Sequence, residues 1–186
     1  MRIISGSFKG KKISEPIDKK TRPLKDITKE SIFNVIIHSN KFKIDFKNSR
    51  ILDLFSGVGS FGIECLSRGV EEVVFVENYL GVLNILKKNL KSLKNIDNYQ
   101  ILNYDAYKIE TLNKLKNKFD IIFLDPPYRD KNIKDLFLSI EQADILKEKG
   151  LIILHRHKNE NDYLPKNLKI LDNKKYGISK ITFLTF

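Results

Sequence analysis

The chain has 186 residues, 41% of them hydrophobic, with one cysteine, no tryptophan and a formal net charge of +11 from 34 basic and 23 acidic side chains. That length predicts one domain able to bury a core without staples, and a lone Cys65 excludes an intramolecular disulfide and fits a reducing compartment. With no apolar run near the roughly 20 residues that span a bilayer and no signal-peptide stretch at the start, a soluble cytoplasmic protein with no membrane partner is expected. A pI near 9.6 favours an anionic partner such as nucleic acid, although a chain rich in Lys, Asn and Ile is also what an AT-rich genome imposes on any protein.

Residues 1–24 read as a basic N-terminal arm ahead of a main domain over 25–186. Short extended pieces at 2–5 and 11–13, around Gly6 and Gly10, predict a hairpin carrying Lys9, Lys11 and Lys12 beside Phe8. Basic groups interleaved with an aromatic suit a phosphate backbone beside an unstacked base; a solvated edge hairpin whose lysines block aggregation fits as well. Apolar spacing at Ile27, Ile32, Phe33, Ile36 and Ile37 predicts a helix over 24–37. A regular alternation follows: strand 51–55, helix 61–68, strand 73–76, helix 82–93, a weaker strand 99–102, helix 109–115, strand 119–124, helix 133–146 and strand 151–154. Segments 168–172 and 178–186, with only 174–177 between them, predict a closing antiparallel hairpin. The expected fold is α/β and Rossmann-like: a mostly parallel seven-stranded sheet with helices on both faces, a C-terminal antiparallel hairpin and a small N-terminal β-hairpin arm.

Between the first strand and its helix the chain reads Asp53, Leu54, Phe55, Ser56, Gly57, Val58, Gly59, Ser60, Phe61, Gly62. Gly57, Gly59 and Gly62 satisfy GxGxxG in its confirming context, strand before and helix after. The loop could seat a pyrophosphate at the helix N-terminus, with Glu77 on a ribose. It could equally admit the amino acid end of S-adenosylmethionine. Asp53 favours the second, because a carboxylate at the loop's mouth repels a pyrophosphate and attracts an ammonium. Glu77 would then hold ribose hydroxyls, and Asp105, past the third strand, would accept from an adenine amino group. Three unrelated acids at loop starts is the bland alternative.

Residues 119–124 run straight into Asp125, Pro126, Pro127 and Tyr128. Pro126 cannot continue a ladder, so the strand must end there, and the carboxyl end of a parallel sheet is where ligands bind. Asp125 and the Pro126 carbonyl can each accept from an amino group while Tyr128 stacks on a base. His155 and His157, two apart at a strand end, could share a face, but no further Cys or His accompanies them and no metal is expected. Cys65 reads as a small core residue.

Together these residues resemble the bacterial 16S rRNA guanine-N2 methyltransferases of the RsmD type, a family of class I S-adenosylmethionine-dependent methyltransferases. The likeness runs from Arg2, Ile3, Ile4, Ser5, Gly6 through Phe8, Lys9, Gly10, Lys11 and Arg22, Pro23 to Asp26 and Lys29, Glu30, Ser31, Ile32, Phe33, Asn34. The glycine loop, Glu77, Asp105 and the Asp-Pro-Pro-Tyr tip follow in the family's order. Residues 25–186 would then be the methyltransferase domain. The resemblance implies a methyl-donor site lined by Arg22, Asp53, Phe55, Ser56, Gly57, Gly59, Glu77, Asn78, Asp105 and Ala106. It implies a catalytic tip of Asp125, Pro126, Pro127 and Tyr128 acting on guanine 966. The implied partner is 16S rRNA in the small ribosomal subunit or its assembly intermediate, met by a monomer. Leu24, Tyr79 and the run His155, Arg156, His157 depart from the family's usual residue types.

Three other readings compete. An adenine-N6 methyltransferase would use the same tip, but such enzymes commonly carry an added target-recognition segment for which this chain has little length. Asp53 and the lack of a Tyr/Lys or His hydride-transfer arrangement speak against a nicotinamide oxidoreductase. An intact Asp125 and glycine loop speak against a non-catalytic RNA-binding protein.

Overall fold

The computed structural model describes residues 1–16, 24–127 and 130–186. Its seven strands are β1 (Arg50–Leu54), β2 (Glu72–Val76), β3 (Tyr99–Leu102), β4 (Phe119–Leu124), β5 (Leu146–His157), β6 (Lys169–Tyr176) and β7 (Ser179–Thr185). They form one sheet in the order β3-β2-β1-β4-β5-β7-β6. β3 to β5 pair in parallel, and β7 is antiparallel to both β5 and β6. The helices are α1 (Asp26–His38), α2 (Ser60–Ser67), α3 (Leu80–Lys91), α4 (Ile109–Leu112) and α5 (Ile133–Gln142).

The central strands read as unbroken apolar runs because both faces are covered. Alternate residues serve different layers. Ile51, Val73, Phe75, Ile121, Phe123, Leu151 and Ile153 share one core with Phe33 of α1, Phe61 of α2 and Leu86 of α3. Leu52, Leu54, Val74, Val76, Ile122, Leu124, Ile152 and Leu154 share the other with Leu112 of α4 and Leu136, Phe137 and Ile140 of α5. Phe61 stacks on Phe123 at 4.0 Å and on Phe33 at 5.2 Å between centroids, so α2 is fixed to β4 and α1 to α2.

Several expected boundaries move, among them that of the strand expected over 168–172, which runs Lys169–Tyr176, so that 174–176 are strand rather than connector. The helix expected over 133–146 ends at Gln142; Asp144 turns into the left-handed region (φ 48°), and Leu146 opens β5 opposite Phe119. The apolar spacing continued through Ile145 and Leu146, but those side chains belong to the sheet. The helix expected over 109–115 is the single turn of α4, with Asn113 at its C-cap. β5 extends well beyond 151–154 at both ends; His155 and Arg156 are buried, and their polarity concealed the strand's last residues.

The N-terminal hairpin holds one antiparallel bridge, Arg2 to Lys12. It is docked rather than free: Ile3 and Ile13 are buried in the first core. The Ser7 amide donates to the Ser67 carbonyl (2.7 Å) and the Ser67 hydroxyl to the Ser5 carbonyl (2.6 Å). Gly6, at φ +82°, allows this approach, since a Cβ there would lie 1.8 Å from the Ser67 oxygen. Glu64 on α2 accepts from the amides of Ile4 (2.8 Å) and Ser5 (2.9 Å) and from Arg68 Nε (2.9 Å). Lys29 of α1 lies 3.6 Å from the same carboxylate and donates to the Arg2 carbonyl at 2.7 Å. Burial pulls the Lys29 ammonium below its ordinary range, against the charge of Glu64. No helix among the described residues is long and apolar enough to cross a membrane.

Candidate active site

Every sequence-identified site residue that the structure describes lies at the carboxyl edge of β1 to β4. The exceptions are Arg22 and Tyr128, which lie outside the described residues. After β1 the chain reverses at Phe55, a bulky residue held at φ 62°, where the left-handed region is costly for anything but glycine. Ser56 donates from its hydroxyl to the Asp53 carbonyl at 2.6 Å, closing the turn. Gly57 and Gly59 follow at φ 55° and 86°, and a Cβ on Gly59 would meet Leu86 at 2.5 Å, so α3 packs directly against the loop.

The three acids are separately fixed. Asp53 is 1% exposed, and its Oδ2 accepts from the Gly62 amide at 3.0 Å. The carboxylate offered by the sequence to an ammonium thus also braces the glycine loop against α2. Burial pushes its proton affinity well up, and the charges of Asp125 and Glu77 add to this against the Gly62 hydrogen bond. Glu77, just past β2, accepts from the Gly57 amide and the Tyr79 amide, both at 2.8 Å, and so ties the second strand end to the glycine loop. Asp105, past β3, accepts from the Tyr107 amide at 3.0 Å; Ala106 beside it is buried and Asn78 is exposed. The Tyr107 ring meets Phe55 at 5.2 Å and its hydroxyl donates to Asp130, which links the loops after β1, β3 and β4.

Asp125 follows β4 with its side chain 18% exposed. Its Oδ1 is 2.9 Å from Nδ1 of His155, whose Nε2 is 2.9 Å from the Ser179 hydroxyl. Arg156, 1% exposed and pointing to the other face, donates to the carbonyls of Pro127 (2.8 Å) and Asp130 (2.7 Å) and pairs with Asp162 at 3.0 Å. Both residues went unassigned in the sequence. A signal existed for one: Leu124 pairs with Leu154 in parallel register, and one step further along both strands sets Asp125 beside His155. Nothing comparable announces that Arg156 reaches back to the tip.

Replacing Arg156 by methionine takes a buried guanidinium away from four partners, the Pro127 and Asp130 carbonyls, Asp162 and Glu160 at 3.9 Å, and leaves the Asp162 carboxylate without its arginine. A loss of about 3–5 kcal/mol in unfolding free energy is expected, and denaturant titration of the two proteins measures it.

The architecture is that of a class I methyltransferase, with the reversed β7 between β5 and β6 closing an otherwise parallel sheet. A solved structure from Escherichia coli, the methyltransferase candidate yhhF, superposes with a TM-score of 0.81 at 27% identity over 99% of this chain and 96% of that one. Residues 1–185 match the family described as "Conserved hypothetical protein 95". The chain belongs to that family, the RsmD family. It is 36% identical to the rRNA methyltransferase candidate YlbH of Bacillus subtilis over 97% of this chain and 96% of that protein. It is 35% identical to the ribosomal RNA small subunit methyltransferase D of Buchnera aphidicola, over 92% and 86%.

Proposed function

We propose that this chain transfers a methyl group from S-adenosylmethionine to the exocyclic N2 amino group of a guanine in 16S rRNA, guanine 966 by the family resemblance. One observation carries the reading: Asp125 and Pro126 end the strand beside β1, whose own end is the glycine loop braced by Asp53 and Glu77. The names of the curated relatives point to the small-subunit RNA as substrate.

The residues present suit the methyl donor. The buried hydroxyl of Ser60, at the head of α2 inside the glycine loop, has no hydrogen-bond partner among the described residues, which is what a site awaiting a polar ligand leaves behind. The loop backbone and Asp53 would take the amino acid end, and the family resemblance adds Arg22 to the donor site. Glu77 keeps lone pairs for ribose hydroxyls beyond its two amide bonds, and Asp105 with Ala106 would receive the adenine.

The donor supplies a sulfonium methyl, whose C–S electron pair returns to sulfur as the new N–C bond forms. The protein's own task is orientation. Guanine's amino lone pair is delocalised into the ring; Asp125 and the Pro126 carbonyl accept its two N–H bonds and turn that lone pair toward the methyl carbon. Holding the reacting atoms in line supplies most of the acceleration. Asp125 takes the proton, which methylation itself has made acidic, and Tyr128 stacks on the extruded base. Beside the tip, Lys134 of α5 lies 4.9 Å from the centroid of Tyr163, a ring 62% exposed and next to the Asp162 that Arg156 binds. A cation over an exposed aromatic suits single-stranded RNA. The reading implies a monomer acting in the cytoplasm on the small subunit or its precursor.

Transfer of labelled methyl from S-adenosylmethionine to small subunits, naked rRNA and DNA, followed by nucleoside analysis, tests this. N2-methylguanosine in the rRNA of the subunits is expected; N6-methyladenosine, or label in DNA alone, would overturn it.

A further inference from the structure

Strand parity places Asp53, Asp125, His155 and Ser179 on one face of the sheet, in line with Ile51, Phe123, Ile153 and Ile181. β1, β4, β5 and β7 are consecutive neighbours; Asp125 falls beside His155, while Asp53 stands opposite Phe123 and Ser179 opposite His157, each one same-face step away. Asp125, His155 and Ser179 are joined by the two hydrogen bonds at 2.9 Å, through a ring only 4% exposed.

We propose that His155 is a positioning residue for methyl transfer: its ring, anchored on Ser179, holds one oxygen of Asp125 so that the other faces the amine. This rests on the function proposed above. An aspartate just beyond a strand end has no ladder to fix it, and its carboxylate can rotate away from any incoming amine. A carboxylate only accepts, so Nδ1 of His155 carries the hydrogen in that pair. In the neutral ring Nε2 then accepts from the Ser179 hydroxyl. The imidazole is thereby fixed at both nitrogens, and Asp125 at Oδ1, before any substrate arrives.

The same contact makes transfer sensitive to pH. An imidazolium beside Asp125 draws on the carboxylate's charge and weakens it as acceptor for the amine and its proton; the neutral ring does not. Among the described residues, the charged groups acting on the ring are Asp125 beyond β4 and Arg156 on β5, and Asp125 acts in turn on Asp53 of β1. Burial lowers the ring's proton affinity, but the charge and hydrogen bond of Asp125 outweigh it, and the net displacement is upward from 6.5 despite Arg156. Turnover should therefore rise as pH climbs through a limb above that value.

The test uses the full chain with small subunits and S-adenosylmethionine, comparing wild type with His155→Ala, His155→Asn and Ser179→Ala. His155→Ala should lose roughly tenfold to a hundredfold in kcat with the affinity for S-adenosylmethionine unchanged. Asparagine can still donate to Asp125, so His155→Asn should recover part of that loss and abolish the acid limb. Should His155→Ala not fold, His155→Asn and Ser179→Ala carry the test through the pH limb alone, which the first should abolish and the second should shift. Wild-type kcat in His155→Ala, parallel losses of kcat and donor affinity, or an unshifted limb in His155→Asn would each overturn the proposal. An inactive Asp125→Ala with a fully active His155→Ala refutes only the role of His155, whereas an active Asp125→Ala refutes the tip itself.

Discussion

Asp125→Ala is expected to lower methyl transfer by about a hundredfold to ten-thousandfold and to leave S-adenosylmethionine binding intact. The carboxylate is the charged acceptor directly past the end of β4, and the proposed chemistry asks two things of it: to orient the amine and to take its proton. The separation of effects follows from the geometry. Glu77 and Asp53 hold the glycine loop through the amides of Gly57 and Gly62, and neither bond involves Asp125. Asp125→Asn should fall between the two, because an amide oxygen still accepts one N–H but cannot take the proton. Single-turnover transfer of labelled methyl, alongside titration of the donor, distinguishes these cases. A variant with undiminished turnover would remove Asp125 from the mechanism.

A loss of stability as large as that expected for the Arg156 replacement is expected from Glu64→Ala. Glu64 and Lys29 are both fully buried, and the carboxylate serves two main-chain amides and the Arg68 guanidinium besides the lysine. Deleting it leaves the buried ammonium with Asp26, 3.8 Å away and partly exposed, as its remaining counter-charge among the described residues, and frees the Arg2 to Ser5 segment, for an expected loss of about 3–5 kcal/mol. Thermal denaturation should show a midpoint lower by roughly 6–20 °C for a chain of this size. Adding Lys29→Met should restore part of the loss, because the buried charge goes, but not the share owed to the Ile4 and Ser5 amides. Full restoration would mean that the amide bonds contribute nothing.

The fold was legible because its central strands are buried on both sides. Ile51, Leu52, Val73, Val74, Ile121 and Ile122 need no partner information to be recognised, and turn residues separate them from amphipathic helices. Legibility failed where tertiary contact overrides local pattern. Ile145 and Leu146 prolong a helical spacing and yet belong to the sheet, and His155 and Arg156 look like solvated polar residues although each is buried by partners distant in sequence. The site divides the same way. Glycines and acids at strand ends have a local signature, and the structure gathers Asp53, Glu77, Asp105 and Asp125 along one sheet edge. A hydrogen bond from β5 to the end of β4 has none, since it depends on register.

That register has a consequence for how the protein tolerates change. Successive residues of β5 do opposite jobs: His155 meets the Asp125 carboxylate on one face, and Arg156 grips the Pro127 and Asp130 carbonyls on the other. A slip of one residue would exchange them, setting a guanidinium against the acid and an imidazole beneath the turn. Upstream, the pairing of β4 with β5 jumps from Phe119 opposite Leu146 to Ile121 opposite Leu151, leaving residues 147–150 as slack. Insertions there can be absorbed before they reach the tip; a single deletion between Leu151 and His155 cannot, which makes that short stretch the part of the chain least free to vary in length.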